Sequence, residues 1–142
     1  MSTTLLDEVK VHVKVRISAL WVSVMFCYIY CDYFELYQPG KLPRMLQGRM
    51  GPFATSPWAL FAGALMMAIP SVMVFLSLTL PARVNRLANI ILGAAYSAIM
   101  LAILATPGLW AYYRLMGALE TALSVLIVWE AWTWPRLHSL RR

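Results

Sequence analysis

The amino-acid sequence predicts an all-α protein, a four-helix transmembrane bundle with both termini in the cytoplasm. Hydrophobic residues make up 61% of the 142 residues and charged residues 13%, whereas soluble domains are about 45–50% apolar and about 25% charged. Long apolar runs recur four times along the chain, and each approaches the roughly 20 residues that cross a hydrocarbon core of about 30 Å. Four such spans leave room only for short loops and tails. We therefore expect a single integral membrane domain over residues 1–142.

The ends of the predicted spans coincide with residues that stop helices. The first span ends before Pro39, the second ends at Pro81, and Pro107 and Pro135 follow the third and fourth. Pro70 lies inside the second span, where its missing N–H should kink the helix and leave a backbone carbonyl without its helical partner. The predicted spans cover residues 17–37, 57–80, 87–105 and 109–134.

The segment before the first span and the longest loop are less regular. Residues 9–17 alternate between apolar and polar side chains, which is typical of a strand. An isolated strand would need a partner edge, so we favour a helical extension of the first span, with its basic side chains reaching the membrane surface. In the loop 38–55, Met45, Leu46 and Met50 indicate a short interfacial helix.

The basic residues predict the orientation, because cytoplasmic loops carry an excess of Lys and Arg. Eight of the twelve lie in the tails and the 81–86 turn, namely Lys10, Lys14, Arg16, Arg83, Arg86, Arg136, Arg141 and Arg142. Lys41, Arg44, Arg49 and Arg114 lie on the other side. The tryptophans fall near the predicted span ends, as an aromatic belt requires; they are Trp21, Trp58, Trp110, Trp129, Trp132 and Trp134.

The formal net charge of +6 does not indicate a nucleic-acid partner, because the basic residues flank apolar runs and no nucleic-acid motif is present. At the span ends these side chains would meet lipid headgroups instead. Membrane lipids are therefore the expected partners.

Glu120 is the most informative residue for mechanism, because it is an ionisable group near the middle of the fourth span. Gly117, Thr121 and Ser124 share its helix face at spacings of three and four. This face is small and polar, as helix contacts in membranes tend to be. Bulky apolar residues form a second face suited to lipid, namely Leu115, Leu119, Ala122, Leu126 and Trp129. Glu120 is therefore predicted to point into the bundle or into an oligomer interface.

Side chains from the other spans are expected at the same depth as Glu120. A matching face of the third span comprises Asn85, Asn89, Gly93, Tyr96 and Met100. Tyr96, Ser97, Ser71 and Tyr28 are the candidate hydrogen-bond partners of Glu120 in an intramembrane polar site. Because no Lys, Arg or His is predicted there, desolvation should keep the carboxyl group protonated.

A second polar cluster is predicted where the first span reaches the opposite side from the tails. Asp32 and Glu35 lie on one face there, and Arg114 enters the fourth span at a similar depth. They would form either an ion pair that fixes the helix ends or the outer entrance of a pathway to Glu120.

Other chemistries find little support in the sequence. Cys27 and Cys31 are four residues apart, which is not a redox CxxC spacing. His12 and His138 lie in the tails, far in depth from the thiols. No phosphate-binding loop, catalytic triad or histidine-based metal motif is present. We therefore predict no metal, no cofactor and no catalytic residues.

Several segments resemble a known family. They are DYFELYQPGKL after the first span, GRMGPF before the second, IPSVMVFLSLTLP at the end of the second, and VNRLANIILG at the start of the third. Together they resemble a family of small bacterial four-span membrane proteins catalogued as a domain of unknown function. The resemblance covers about residues 9–135 and implies a membrane protein of prokaryotic type, in the bacterial cytoplasmic membrane. It implies no activity and no site residues.

Three hypotheses for function remain. The first is an oligomeric transport or ligand-binding module with Glu120 in its polar site, since four helices are too thin to enclose a sizeable aqueous path. The second is a non-catalytic accessory or structural subunit of a larger membrane complex. The third is a membrane enzyme acting on a lipid or quinone through Tyr28, Cys31 and Asp32. No reaction motif supports the enzyme, so the first two hypotheses are favoured.

Overall fold

The computed structural model describes residues 9–51 and 53–135, apart from the side chain of Met50. Within this part of the chain, four helices of 22 or 23 residues are long and apolar enough to cross a membrane. At 1.5 Å per residue they are about 33–35 Å long, slightly more than the hydrocarbon thickness of about 30 Å. The elements in chain order are α1 (Val13–Glu35), α2 (Lys41–Leu46), β1 (Arg49–Met50), β2 (Phe53–Ala54), α3 (Pro57–Thr79), α4 (Ala82–Leu104) and α5 (Ala111–Trp132). The protein is an all-α membrane protein, as predicted.

Local signals account for where the helices begin. The Nδ1 atom of His12 accepts from the Lys14 N–H at 3.2 Å and caps α1, and Ser56 Oγ accepts from the Ala59 N–H at 3.1 Å and caps α3. The α4 helix begins directly after Pro81, five residues before the predicted span. The sequence-based boundary followed the apolar run, whereas the helix also includes the polar residues that precede it.

The polar segments follow the sequence predictions in part. Residues 13–16 extend α1 as a helix and residues 9–12 form no strand; the rest of the N-terminal tail lies outside the described residues. The short helix expected near Met45 is α2. It is followed by a small antiparallel hairpin, in which Arg49 pairs with Ala54 and Met50 with Phe53.

The bundle is centred on α1, which packs between α3 and α5, while α4 packs along α5. Although α3 and α4 are joined by a tight turn, they contact each other sparingly. The core consists mainly of residues from α1, α4 and α5, and α3 buries only Pro70, Met73 and Ser77. The outward faces are mainly apolar and suited to lipid.

Two glycines let α4 and α5 approach closely. A Cβ atom added at Gly93 would lie 2.9 Å from Val128 Cγ2 and 3.1 Å from the Ser124 carbonyl oxygen. One added at Gly117 would lie 2.9 Å from Leu104 Cδ2. Small residues at such positions are the usual means by which membrane helices pack.

Three basic side chains join helices at the end of the bundle where α1 begins and α5 ends. Lys14 Nζ donates to the Leu80 carbonyl at 2.7 Å, and so caps the end of α3. Arg16 and Glu130 form an ion pair at 2.8 Å between α1 and α5. Arg86 donates to carbonyl oxygens at the end of α5. These cations therefore contribute contacts between the helices.

The tryptophan prediction was right for most of the described positions and wrong for Trp21. Trp58, Trp110, Trp129 and Trp132 are exposed near helix ends, as an aromatic belt requires. Trp21 is fully buried, because its indole N–H has a polar partner inside the bundle.

Candidate functional site

Glu120 lies near the middle of α5 and is 1% exposed. Gly117 and Ser124, one turn away on either side, are buried with it. All five residues of the face that was predicted to meet lipid are exposed; they are Leu115, Leu119, Ala122, Leu126 and Trp129. The helical spacing of the sequence was therefore sufficient to predict that Glu120 points into the bundle.

The α1 helix provides the immediate surroundings of Glu120. The Tyr28 hydroxyl group lies close to the Glu120 carboxyl group, yet Glu120 Oε1 has no hydrogen-bond partner among the described residues. Cys27 and Cys31 are free, buried thiols one residue and three residues from Tyr28, and both lie within electrostatic range of Glu120. Tyr28 is therefore the predicted partner that the structure brings to Glu120.

Two buried polar atoms on α5 lack a hydrogen-bond partner within the described part of the chain. They are Glu120 Oε1 and Ser124 Oγ, which belong to residues one helical turn apart. Most buried polar atoms in proteins have a partner, and leaving one without costs about 1–3 kcal/mol. The pair therefore marks a place where a further polar group would be stabilising.

The ionisable groups that interact with Glu120 in the described residues do not include a cation. They are Cys27, Tyr28, Cys31, Asp32 and Tyr113. An ionised carboxylate buried in apolar surroundings requires a cationic partner or several hydrogen bonds. With one oxygen lacking even one hydrogen bond, this environment favours the neutral acid. The chemistry open to it is to bind and release a proton, or to bind a ligand that supplies the missing contacts.

Tyr96 reaches the centre of the bundle but uses its hydroxyl group elsewhere. It donates to the Met66 carbonyl oxygen at 2.7 Å, which is the carbonyl that Pro70, four residues later, cannot bond. The carbonyl that Pro70 was predicted to leave free is thus satisfied from α4. The Tyr96 ring also packs edge-on against Trp21 and Tyr28, with ring centroids 6.0 and 6.4 Å apart. Tyr96 therefore supports Tyr28 rather than binding Glu120 directly.

The two predicted serines bond to carbonyl oxygens of their own helices, and Ser71 Oγ also lies 3.5 Å from Met25 Sδ on α1. Ser97 Oγ is buried and donates to the Gly93 carbonyl at 2.8 Å. Ser71 is exposed and donates to the Met67 carbonyl at 2.7 Å. The prediction that Ser71 faces Glu120 was wrong, because Ser71 is exposed. A residue at the same depth as Glu120 need not lie on the inward face of its own helix.

The polar cluster at the loop end is arranged differently from the prediction. Glu35 pairs with Lys41 at the start of α2, so the expected pairing of Glu35 with Arg114 does not form. Asp32 and Arg114 are exposed on their helices, and no ion pair joins them. The turn after α1 brings the start of α2 back to the end of α1, so Lys41 lies beside Glu35. The conformation of this turn could not be predicted from the sequence.

A buried network of hydrogen bonds lies elsewhere in the bundle, and the sequence analysis did not predict it. Asn89 Oδ1 accepts from the Trp21 indole N–H at 2.6 Å, and Asn89 Nδ2 donates to Asn85 Oδ1 at 2.6 Å. Asn85 in turn donates to the Ser77 carbonyl at 2.6 Å. The network joins α1, α3 and α4, and all four residues are fully buried. The sequence feature that could have indicated this network is the spacing of four residues between the two asparagines on the inward face of α4.

The described residues hold no cluster of three or more His, Cys, Asp or Glu side chains that could bind a metal ion. The buried cysteines, Cys27 and Cys31, therefore find no third ligand of these types in this part of the chain.

Comparison with known proteins places the chain in a family but gives no activity. No curated protein and no solved structure matches it significantly. A family model described as "Family of unknown function (DUF6326)" matches residues 6–139. Because this match covers most of the sequence, the protein belongs to the DUF6326 family of unknown function, as the segments flanking its spans had indicated.

Proposed function

We propose that the protein is a transport or ligand-binding module in which Glu120 binds and releases a proton within the membrane. The observation that carries the proposal is the Glu120 carboxyl group itself, which is 1% exposed and has an oxygen without a hydrogen-bond partner in the described residues. Ionisable groups inside membranes commonly mark proton relays or binding sites.

A chain of polar groups leads from Glu120 towards the loop end of the bundle. Tyr28 adjoins the carboxyl group, and Cys31 and Tyr113 lie within electrostatic range of it. Asp32 follows at the exposed end of α1 and interacts with Glu120. In the proposed mechanism Asp32 exchanges protons with the solution and Tyr28 orients the buried carboxyl group.

The proposal includes a homo-oligomer with both termini cytoplasmic, in the cytoplasmic membrane of a bacterium. A single four-helix bundle leaves Glu120 almost without exposure, so a second copy would have to complete any aqueous path. The excess of basic residues at the terminal end supports the orientation.

The experiment uses the proton as its probe. Purified protein is reconstituted into vesicles containing a pH-sensitive dye, and proton flux is followed after an external pH jump. Wild-type protein should raise the flux above that of empty vesicles, and Glu120→Gln, which removes the proton-binding group, should return it to that baseline.

Glu130→Gln is the matched control, because Glu130 lies on the same helix but pairs with Arg16 near the membrane surface. This variant should retain the wild-type flux. Equal flux from wild type and Glu120→Gln would contradict the proposal.

A second candidate is a non-catalytic accessory subunit of a larger membrane complex. The observation favouring it is the exposure of α3. Only 11% of the most apolar stretch of this helix is buried within the bundle. This helix could pack against another membrane protein. A stoichiometric partner co-purifying in mild detergent, together with absent proton flux, would favour this candidate.

A further inference from the structure

A groove of about 420 Å³ lies between the start of α4 and the end of α5, away from Glu120. Its volume is within the roughly 300–1,000 Å³ typical of small-molecule pockets. The groove combines basic, aromatic and aliphatic side chains, and is lined by Ala82, Arg83, Arg86, Leu87, Ile90, Trp132 and Trp134. This composition suits a ligand that is anionic at one end and apolar along its length.

Arg86 forms a fixed wall of the groove. Its guanidinium group donates to the Ala131 carbonyl at 3.1 Å and to the Trp132 carbonyl at 3.4 Å. It also lies 5.9 Å from the centre of the Trp132 ring. These contacts stabilise the end of α5 and hold the Trp132 ring beside α4.

Arg83 provides a positive charge that is available to bind an anionic group. It is exposed, and no ion pair or side-chain hydrogen bond involves it within residues 9–51 and 53–135. It also lines a neighbouring recess with Lys10, Lys14 and Arg16, and no described residue lining the groove or the recess is acidic. Among the described residues, the charged side chains at the mouth of the groove are therefore basic, and of these Arg16 is paired with Glu130.

The charged and apolar parts of the groove follow one face of α4. Arg83, Leu87 and Ile90 are separated by four and three residues, so they form a continuous stripe along the helix. Arg83 is in the first turn of α4, where a membrane-spanning helix would meet the lipid headgroups, and Ile90 lies about 10 Å further along the helix at 1.5 Å per residue. A phosphate at Arg83 would thus continue into an apolar chain along the groove.

We propose that this groove is a binding site for an anionic phospholipid, with its phosphate at Arg83 and an acyl chain along Leu87, Ile90 and Trp132. Basic pockets between membrane helices are suited to anionic headgroups. The apolar stripe favours a lipid over a soluble phosphate, because a soluble ion would leave the stripe unused.

The test is native mass spectrometry of the full chain, purified and then supplied with equal amounts of phosphatidylglycerol and phosphatidylcholine that carry the same acyl chains. Wild-type protein should retain phosphatidylglycerol preferentially. Arg83→Gln should lower this binding about five-fold, which corresponds to about 1 kcal/mol for a basic residue near an anionic surface, and Arg83→Lys should retain most of it. Leu87→Gln, at a side chain that is 60% exposed, should also weaken binding by removing part of the apolar wall.

Arg49→Gln is the matched control, because it removes the same charge from the hairpin at the opposite end of the bundle and should leave binding unchanged. Equal retention of the two lipids by wild type, or an equal effect of Arg83→Gln and Arg49→Gln, would overturn the proposal. So would unchanged binding in Leu87→Gln, or displacement of the lipid by soluble glycerol 3-phosphate.

Discussion

Replacing Gly93 with alanine is expected to lower the free energy of unfolding by about 1–3 kcal/mol, the usual cost of overpacking. The new methyl group would lie 2.9 Å from Val128 Cγ2 and 3.1 Å from the Ser124 carbonyl oxygen. Neither can move easily, because Val128 is β-branched and the carbonyl belongs to the backbone of α5. Denaturation in mixed detergent micelles, followed by circular dichroism, measures the change.

The chain contains a matched control at Gly63 in α3, where an added Cβ atom meets nothing within 4 Å. Gly63→Ala should therefore stabilise the protein by about 0.5–1 kcal/mol, the intrinsic advantage of alanine over glycine in a helix. Gly117→Ala should cost less than Gly93→Ala, because its closest contacts are the ends of the flexible Leu104 and Met100 side chains. Equal effects at Gly93 and Gly63 would show that α4 and α5 are not packed closely at Gly93.

Replacing Asn89 with leucine is expected to destabilise the bundle by about 1–3 kcal/mol, the cost of leaving a buried polar group without a partner. Asn89 accepts from the Trp21 indole N–H at 2.6 Å and donates to Asn85 Oδ1 at 2.6 Å. Leucine has a suitable apolar side chain but would leave both partners unsatisfied inside the bundle. The same denaturation assay measures the loss.

A double-mutant cycle separates this hydrogen bond from general packing effects. Trp21→Phe removes the indole donor, so Asn89→Leu should cost less in that background than in wild type. Strictly additive effects would contradict a direct interaction between Trp21 and Asn89.

The inward faces of α4 and α5 could be predicted from sequence, because helical spacing places their small and polar residues on one side. On α5 the predicted polar stripe is buried at Gly117, Glu120 and Ser124 and half-buried at Thr121, and the stripe from Asn85 to Met100 on α4 is buried. The exposed stripe of α5 likewise contains the bulky apolar residues expected to face lipid. Such periodic patterns need no information about neighbouring helices.

Contacts between helices could not be predicted, because they depend on how each helix is rotated about its axis. Ser71 was placed near Glu120 by depth, yet its helix turns it outwards. Arg114 was expected to pair with Asp32 or Glu35, yet the turn after α1 brings Lys41 to the Glu35 carboxylate. Trp21 resembled a belt residue in sequence, but its indole N–H finds an asparagine inside the bundle.

We expect Glu120 to be a neutral, proton-binding acid in the interior of the membrane. Infrared spectroscopy of the protein in lipid bilayers at neutral pH tests it through the C=O stretch of protonated carboxyl groups. Wild-type protein should show a band that is lost in Glu120→Gln and kept in Glu130→Gln. Identical spectra for wild type and Glu120→Gln in this region would show that Glu120 is ionised and would contradict the claim.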